Sequence, residues 1–226
     1  PVVEEGLLQA CANFYLSQLD DGAALLSLVS FETDGLGALE ASTIVSRPGA
    51  VYASSDAFYV AVRHYADSAY GWFYEEADAI EEATTIHKFA LDPASIHTTY
   101  VGSGPVKGRV LNQFAMDEHE GNLRVATTTG HLPSPDVHNT VAVMTLDEGE
   151  LVITGMVDHI APEEDIRSVR FEGNVGLIVT FKKTDPLFVL DLSDPTDPKV
   201  KGELKIPGYS TYMYMMDATH ILSIGY

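Results

Sequence analysis

The chain has 226 residues, of which 46% are hydrophobic, so it can bury the core of one large β domain or of two small ones. Its 33 acidic and 13 basic residues give a formal net charge of -20. This charge disfavours nucleic acid and anionic membrane surfaces as partners, because both require clustered Lys and Arg. The single cysteine, Cys11, excludes an intrachain disulfide, and no run approaches the roughly 20 apolar residues that a membrane span needs.

Residues 1–24 have the weakest β character, and we predict that they form a lead-in segment. Their apolar residues have a spacing that fits one or two helical turns, and an irregular segment fits equally well. Two strand-sized apolar runs follow, Leu25–Glu32 and Glu40–Ser46, on either side of a Gly-rich turn. We predict a half blade, meaning a two-stranded half of a repeating unit, over residues 25–46.

Three longer units of similar pattern follow the half blade. The clearest lies within residues 167–207, where four short runs rich in Val, Ile, Leu and Phe alternate with turn signals such as Gly173-Asn174. Sequential strands joined by tight turns form an antiparallel meander, and the spacing of the repeats is that of propeller blades. We therefore predict three four-stranded blades and a closing half blade over the ranges 51–101, 110–157, 169–206 and 211–224.

The inner runs of these units decide between two all-β architectures. Gly176–Phe181 (GLIVTF) and Thr140–Met144 (TVAVM) are apolar at both alternating positions. A sandwich strand with one wet face alternates apolar and polar residues, whereas a propeller blade is covered on both faces by its neighbours. The sequence therefore predicts an all-β fold, a β-propeller with four-stranded antiparallel blades, and a β-sandwich is the alternative.

Two long phrases of the chain are distinctive. Residues 96–128 read IHTTYVGSGPVKGRVLNQFAMDEHEGNLRVATT, and residues 169–212 read VRFEGNVGLIVTFKKTDPLFVLDLSDPTDPKVKGELKIPGYSTY. They resemble a family of prokaryotic proteins described as secreted, with a C-terminal β-propeller distantly related to WD repeats. The resemblance covers about residues 25–226 and is weaker at VYASSDAFYVAV, and the WD dipeptide itself is absent.

The resemblance implies a location and a partial propeller rather than a chemistry. In that family the propeller is longer than this chain, so an arc that continues in further residues is expected. The abrupt start at Pro1 and end at Tyr226 fit a piece of a longer protein. In the alternative, the two half blades pair and close a small four-bladed ring. The resemblance also implies a secreted or cell-surface protein, and it brings no established catalytic residues.

Candidate metal ligands are few and have simpler interpretations. Asp117–Glu120 offers oxygen ligands of the kind that Ca²⁺ prefers, but its place before Gly121-Asn122 favours a solvated hairpin turn. Glu32–Gly35 lacks the remaining ligands of a calcium loop. The eight histidines include no HExxH pair. His87 and His97 fall on strands that we predict to be neighbours and can meet across the ladder, although a structural role is favoured.

The motifs of nucleophilic or nucleotide chemistry are incomplete. Gly208–Tyr212 lacks the last glycine of a nucleophile elbow. Gly102–Gly108 lacks the Gly-Lys-Ser/Thr ending of a phosphate-binding loop and is predicted to be a turn between blades. A Ser–His–Asp triad assembled across blades is a weaker alternative. We therefore predict no catalytic, cofactor-binding or metal-ligating residues, and no cofactor.

Two aromatic segments are candidates for ligand binding. Tyr209–Met216 is expected to pack in the core between blades, with an aromatic binding platform as the alternative. The acidic, aromatic insertion Tyr65–Ala83 is the better candidate, because long loops on a rigid scaffold often carry function. The sequence favours a non-catalytic binding or scaffold domain with a protein or carbohydrate ligand. The alternative is a propeller-supported hydrolase or metal-dependent enzyme with its site at the channel mouth.

Overall fold

The computed structural model describes residues 13–16, 22–33, 39–65, 82–92, 94–181, 185–206, 208, 210–217 and 219–225. These parts of the chain contain eighteen β-strands and a short 3-10 helix at Gln113–Ala115. No helix within them is long and apolar enough to cross a membrane. The prediction of an all-β fold is confirmed.

The first sheet, here called the N-terminal half-sheet, has three strands. They are β1 (Phe14–Leu16), β2 (Leu25–Phe31) and β3 (Leu39–Val45), in the order β1-β3-β2. β2 and β3 form the predicted antiparallel pair, whereas β1 runs parallel to β3. A short helix or an irregular segment was expected at Phe14–Leu16. The strand forms there because it satisfies the free edge of β3, which would otherwise leave backbone groups unpaired.

Two four-stranded antiparallel meanders follow in chain order. The first blade is β4 (Ala50–Ala53), β5 (Ala57–Tyr65), β6 (Glu82–Leu91) and β7 (Thr98–Lys107). After β8 (Arg109–Val110), the second blade is β9 (Met116–His119), β10 (Asn122–Thr129), β11 (His138–Asp147) and β12 (Glu150–Ile160). A single parallel bridge between Ser103 and Glu150 joins the two blades into one sheet.

The remaining strands form a third blade and a C-terminal half-sheet. The third blade is β13 (Asp165–Glu172), β14 (Val175–Phe181), β15 (Asp185–Asp191) and β16 (Lys199–Ile206). The half-sheet is the hairpin β17 (Ser210–Met215) and β18 (Ile221–Gly225). In the described residues the two half-sheets are separate and do not pair into one blade. The division of the chain into a lead-in segment and blades at the predicted boundaries stays a prediction.

The sheets stack face to face in chain order, and buried apolar clusters lie between neighbours. Alternate residues of β11 face different clusters, because Ala142 and Met144 pack towards the first blade and Val141 packs towards the third. In β14, Ile178 packs towards the second blade and Leu177 packs with Met213 of the C-terminal half-sheet. The apolar inner strands are therefore covered on both faces, as the sequence predicts for propeller blades.

The first and second blades approach each other closely at β7 and β12. A Cβ on Gly104 would lie 1.8 Å from the carbonyl oxygen of Leu151, so only glycine fits there. The prediction that Gly102–Gly108 is a turn between blades is wrong, because Gly102–Lys107 lies inside β7. Gly102 and Gly104 provide space for the backbone of Gly149 and Leu151. From the sequence alone, glycines with this role cannot be distinguished from glycines in a turn.

Candidate functional site

A cavity lies where the first strands of the three blades meet. It has a volume of about 630 Å³ and is bordered by β4, β9, β13 and the 3-10 helix. Its lining combines aromatic, carboxylate and guanidinium side chains; those used below are Tyr52, Phe58, Phe114, Asp117, Glu118, Arg124, Arg170, Phe171 and Glu172. Convergence of first strands on one space is the arrangement of a propeller channel.

The β9–β10 hairpin places the carboxylates of this cavity. Glu120 and Gly121 both have positive φ, at 50° and 80°, as a tight two-residue hairpin turn of the primed type requires. Asp117–His119 are therefore strand residues, and the predicted solvated turn is confined to the two residues that follow. Because side chains alternate along a strand, Asp117 and Glu118 lie on opposite faces of β9.

Glu118 joins the second blade to the first. Its carboxylate accepts hydrogen bonds from the Tyr59 hydroxyl (2.9 Å), from Lys88 Nζ (3.0 Å) and from Ser54 Oγ. Its backbone N–H donates to the Tyr52 hydroxyl at 3.0 Å. Burial works against ionisation, but the hydrogen bonds from Ser54, Lys88 and Tyr59 outweigh it and lower the pKa of the Glu118 carboxyl. Glu118 is therefore ionised at neutral pH and surrounded by donors.

Arg124 joins the second blade to the third. Its side chain is only 4% exposed and forms an ion pair with Asp117, the residue directly opposite on β9, with Nε at 3.0 Å from Oδ2. Its Nη1 donates to the carbonyl oxygen of Gly173, and its guanidinium lies 5.4 Å from the centre of the Phe171 ring. The donors of Arg124 are thus engaged within the protein.

Arg170, unlike Arg124, has a side-chain donor without a partner among the described residues. Its Nε is buried and has no hydrogen-bond partner among the described residues, and its Nη2 lies 3.7 Å from the Glu172 carboxylate. The side chain is 27% exposed and borders the cavity. Burying a guanidinium N–H without an acceptor is costly, so Arg170 is prepared to donate to a bound group.

The two histidines that were considered as a pair do not meet. His87 Nδ1 is 3.1 Å from the Tyr100 hydroxyl, and the Cα partner of His87 on β7 is Ser103. His97 Nδ1 is 2.5 Å from the carboxylate of Glu40 on β3. Each histidine therefore has a separate polar contact, and His97 links the first blade to the N-terminal half-sheet.

The aromatic segments of the sequence are only partly described. Residues 66–81 of the Tyr65–Ala83 insertion and residues 34–38, which include the end of Glu32–Gly35, lie outside the described residues. In Tyr209–Met216, Met213 is buried whereas Tyr212 and Tyr214 are 41% and 48% exposed. The prediction that this stripe packs in the core holds for Met213 but not for the two exposed tyrosines.

The sequence reasoning missed a cluster of His138, Asp158 and His159, whose ligand atoms lie within 4.8 Å of one another. It lies at the end of the second blade opposite the Glu120–Gly121 turn, since β11 begins and β12 ends there. Counting outward by equal steps from the Asp147–Glu150 pair brings His138 and His159 to matching positions, but two register shifts intervene and Asn139 pairs with Ile160 rather than with Asp158. The hairpin pattern could therefore have placed these residues near one another, whereas the bulge that adds Asp158 to them has no fixed sequence signature.

Stacked four-stranded sheets whose first strands surround a shared cavity define a β-propeller domain. A family model described as "Beta propeller domain" matches residues 1–226, and the chain belongs to that family.

The chain is 43% identical over 145 residues to an uncharacterised protein of Archaeoglobus fulgidus and equally to one of Methanocaldococcus jannaschii. Each match covers 64% of this chain and 22% of the relative, so the chain spans about a fifth of these relatives. It is also 31% identical over 145 residues to a Rippkaea orientalis protein named 3-dehydroquinate synthase, covering 59% of this chain and 39% of that protein.

Proposed function

We propose that this domain is a non-catalytic binding domain and that its ligand is a polypeptide segment seated in the cavity between the first strands. One observation carries the proposal: Arg170, whose buried Nε has no acceptor among the described residues, lies in the same cavity as aromatic side chains. A carboxylate or carbonyl oxygen of the ligand supplies the acceptor. Phe58 and Phe114 provide the apolar surface for a neighbouring side chain of the ligand.

The carboxylates of the cavity support binding over acid–base chemistry. A general acid at neutral pH needs a raised pKa, whereas the pKa of Glu118 is lowered and its oxygens accept from three donors. Asp117 is engaged by Arg124. The same engagement leaves these carboxylates poorly placed to accept hydrogen bonds from sugar hydroxyls, which favours a polypeptide over a carbohydrate ligand.

A random-peptide display selection on the immobilised protein tests this function. The wild-type protein is expected to enrich peptides that pair an apolar side chain with an acidic group or a free carboxyl end. Arg170→Leu removes the donor and is expected to weaken the binding of the selected peptides by about 10-fold or more, which is the contribution of a hydrogen bond that involves a charged group. Binding is measured by fluorescence anisotropy with the selected peptides.

The control is Arg167→Leu on the same strand. Arg167 is exposed and lies 5.7 Å from the centre of the Phe181 ring, outside the cavity. Peptide affinity is expected to stay within twofold in this variant. Equal losses in both variants would count against a cavity site, and glycan binding that disappears with Arg170 would replace the polypeptide with a carbohydrate.

The proposed binding domain belongs, we infer, to a secreted or cell-surface protein. The support is the sequence resemblance to a secreted prokaryotic family. Protease treatment of intact source cells, followed by detection with an antibody to this domain, tests the location. Loss of the epitope while a cytoplasmic marker survives is the expected result, and protection of both would contradict it.

A further inference from the structure

The third and fourth strands of the second blade bring three potential metal ligands together, away from the cavity. His138 Nε2 lies 3.5 Å from Asp158 Oδ1, and His159 Nδ1 lies 3.4 Å from Asp158 Oδ2. In a tetrahedral zinc site with ligands at about 2.0–2.1 Å, neighbouring ligand atoms are about 3.3 Å apart. The two nitrogen–oxygen separations are close to that spacing, and each nitrogen faces a different oxygen of the Asp158 carboxylate.

A β-bulge creates this arrangement. The Cα partners are Asn139 with Ile160 and Val141 with Val157, so Asp158 and His159 together face the single residue Thr140. His159 has a φ of 57°, in the left-handed region that few side chains adopt. Bulges of this kind re-aim side chains and are common beside functional sites.

The polar surroundings orient the ligands further. His138 Nδ1 donates to the carbonyl oxygen of Asp136 at 2.8 Å. Because a carbonyl only accepts, the neutral ring carries its proton on Nδ1 and leaves the Nε2 lone pair facing Asp158. A backbone carbonyl is one of the partners to which metal-binding histidines commonly donate their second ring N–H. Asp158 is held by the Thr140 hydroxyl at 2.5 Å and by the His159 N–H at 2.8 Å.

We propose that His138, Asp158 and His159 bind a divalent transition-metal cation of the zinc class. Two imidazoles and one carboxylate are ligands that suit zinc, and three protein ligands leave a coordination position for water or a ligand group. His138 and Asp158 are mostly buried, whereas the His159 side chain is 72% exposed, so a cation enters from the His159 side. The site is separate from the cavity of the proposed function.

Two features change when the cation binds. The rings of His138 and His159 are stacked, with centres 4.3 Å apart and planes at 4°, so their in-plane lone pairs run parallel instead of converging. The exposed His159 ring therefore turns out of the stack. Lys107 Nζ lies 3.6 Å from Asp158 Oδ2 and competes with the cation for the carboxylate.

Calorimetric titration of the protein with ZnCl₂ tests the site. The wild-type protein is expected to bind one zinc per chain at this site, and His138→Gln and His159→Asn each to weaken that binding by about 10–100-fold. Asn is used at position 159 because it tolerates positive φ. His220→Gln is the matched control, since His220 contacts Asp217 without a second histidine in the contact, and its affinity is expected to stay within twofold.

Lys107→Met gives a prediction of the opposite sign. Removing the competing cation is expected to tighten zinc binding by about 10-fold, as loss of a nearby like charge does. X-ray absorption of the zinc-loaded protein is expected to show two imidazoles in the wild type and one in His138→Gln. Unchanged zinc affinity in both histidine variants, with their zinc-free melting temperatures intact, would overturn the proposal, as would weaker binding in Lys107→Met.

Discussion

The third blade and the C-terminal half-sheet have strands of similar chemistry and very different burial. In β14, Leu177, Ile178 and Val179 are at most 1% exposed. In β18, Leu222 and Ile224 are 51% and 61% exposed. β14 has a sheet on each face, whereas the half-sheet packs against one face of β14 through Met213 and Met215 of β17. An apolar composition thus allows a strand to be buried, but the strand becomes buried only where another sheet packs against it.

The N-terminal half-sheet follows the same rule. Ile44 is 1% exposed and packs against Val60 and its neighbours in the first blade, whereas Leu25 and Phe31 on β2 are 65% and 61% exposed. In repeat folds each unit depends on its neighbours for stability, because no unit buries its apolar faces alone. Stability should therefore be concentrated at the interfaces between the three blades.

The strongest test of this difference is a truncation in β14. Leu177→Ala removes a fully buried side chain at the interface with β17 and is expected to lower the free energy of unfolding by about 3–4 kcal/mol. Leu222→Ala, the same change on exposed β18, is expected to cost less than about 1 kcal/mol. Urea denaturation followed by tryptophan or tyrosine fluorescence measures both. Equal losses would show that the two sheets are equally packed.

The next largest effect is expected at the contact between the first and second blades. Gly104→Ala places a methyl group against the Leu151 carbonyl and should cost about 2–3 kcal/mol through the displaced backbone. Gly202→Ala on β16 is the control, because nothing lies within 4 Å of its added Cβ. Its melting temperature is expected to stay close to that of the wild type. If both variants behave alike, the close approach of β7 and β12 is not rigid.

The hydrogen bonds of Glu118 with Ser54, Tyr59 and Lys88, which join the first and second blades, make the stability depend on pH. The folded-state pKa of Glu118 lies below its ordinary value of 4.5, so its ionised form stabilises the fold at neutral pH. That contribution is present above the unfolded-state pKa and is lost as the pH falls through the folded-state pKa. Glu118→Gln should cost about 1–2 kcal/mol at pH 7, and its stability should fall less steeply below about pH 4.5 than that of the wild type. Parallel acid profiles for the two proteins would rule out this role.

The architecture could be predicted from the sequence because a strand that is buried on both faces has apolar residues at consecutive positions. The apolar runs of β11 and β14 can be recognised without knowing which sheets lie beside them, and they predict that both faces of each strand are covered. Gly104 is different: a glycine that makes room for a backbone resembles one that makes a turn. Glycine is required at position 104 because of the close approach of Leu151, which is distant in the chain.

The site residues were harder to predict for a related reason. Glu118 lies beside a turn, so its acidic neighbourhood looked solvated, whereas its partners Tyr59 and Lys88 come from another blade. His138 and Asp158 converge through a bulge, and a bulge changes strand register without a fixed sequence signature. Local pattern therefore predicted the sheets, while contacts between distant residues and irregular pairing determined the chemistry.

The smallest expected effect returns to the C-terminal half-sheet. Tyr214 is 48% exposed on β17, and Tyr214→Thr keeps a residue of high strand propensity while removing the ring. Because the ring has little to pack against among the described residues, the free energy of unfolding should change by no more than about 0.5 kcal/mol. Met213→Thr on the same strand is the matched variant, and because Met213 is 2% exposed it should cost several times more. If Tyr214→Thr is as damaging as Met213→Thr, a surface is covering the exposed face of β17, and the half-sheet is then not weakly packed.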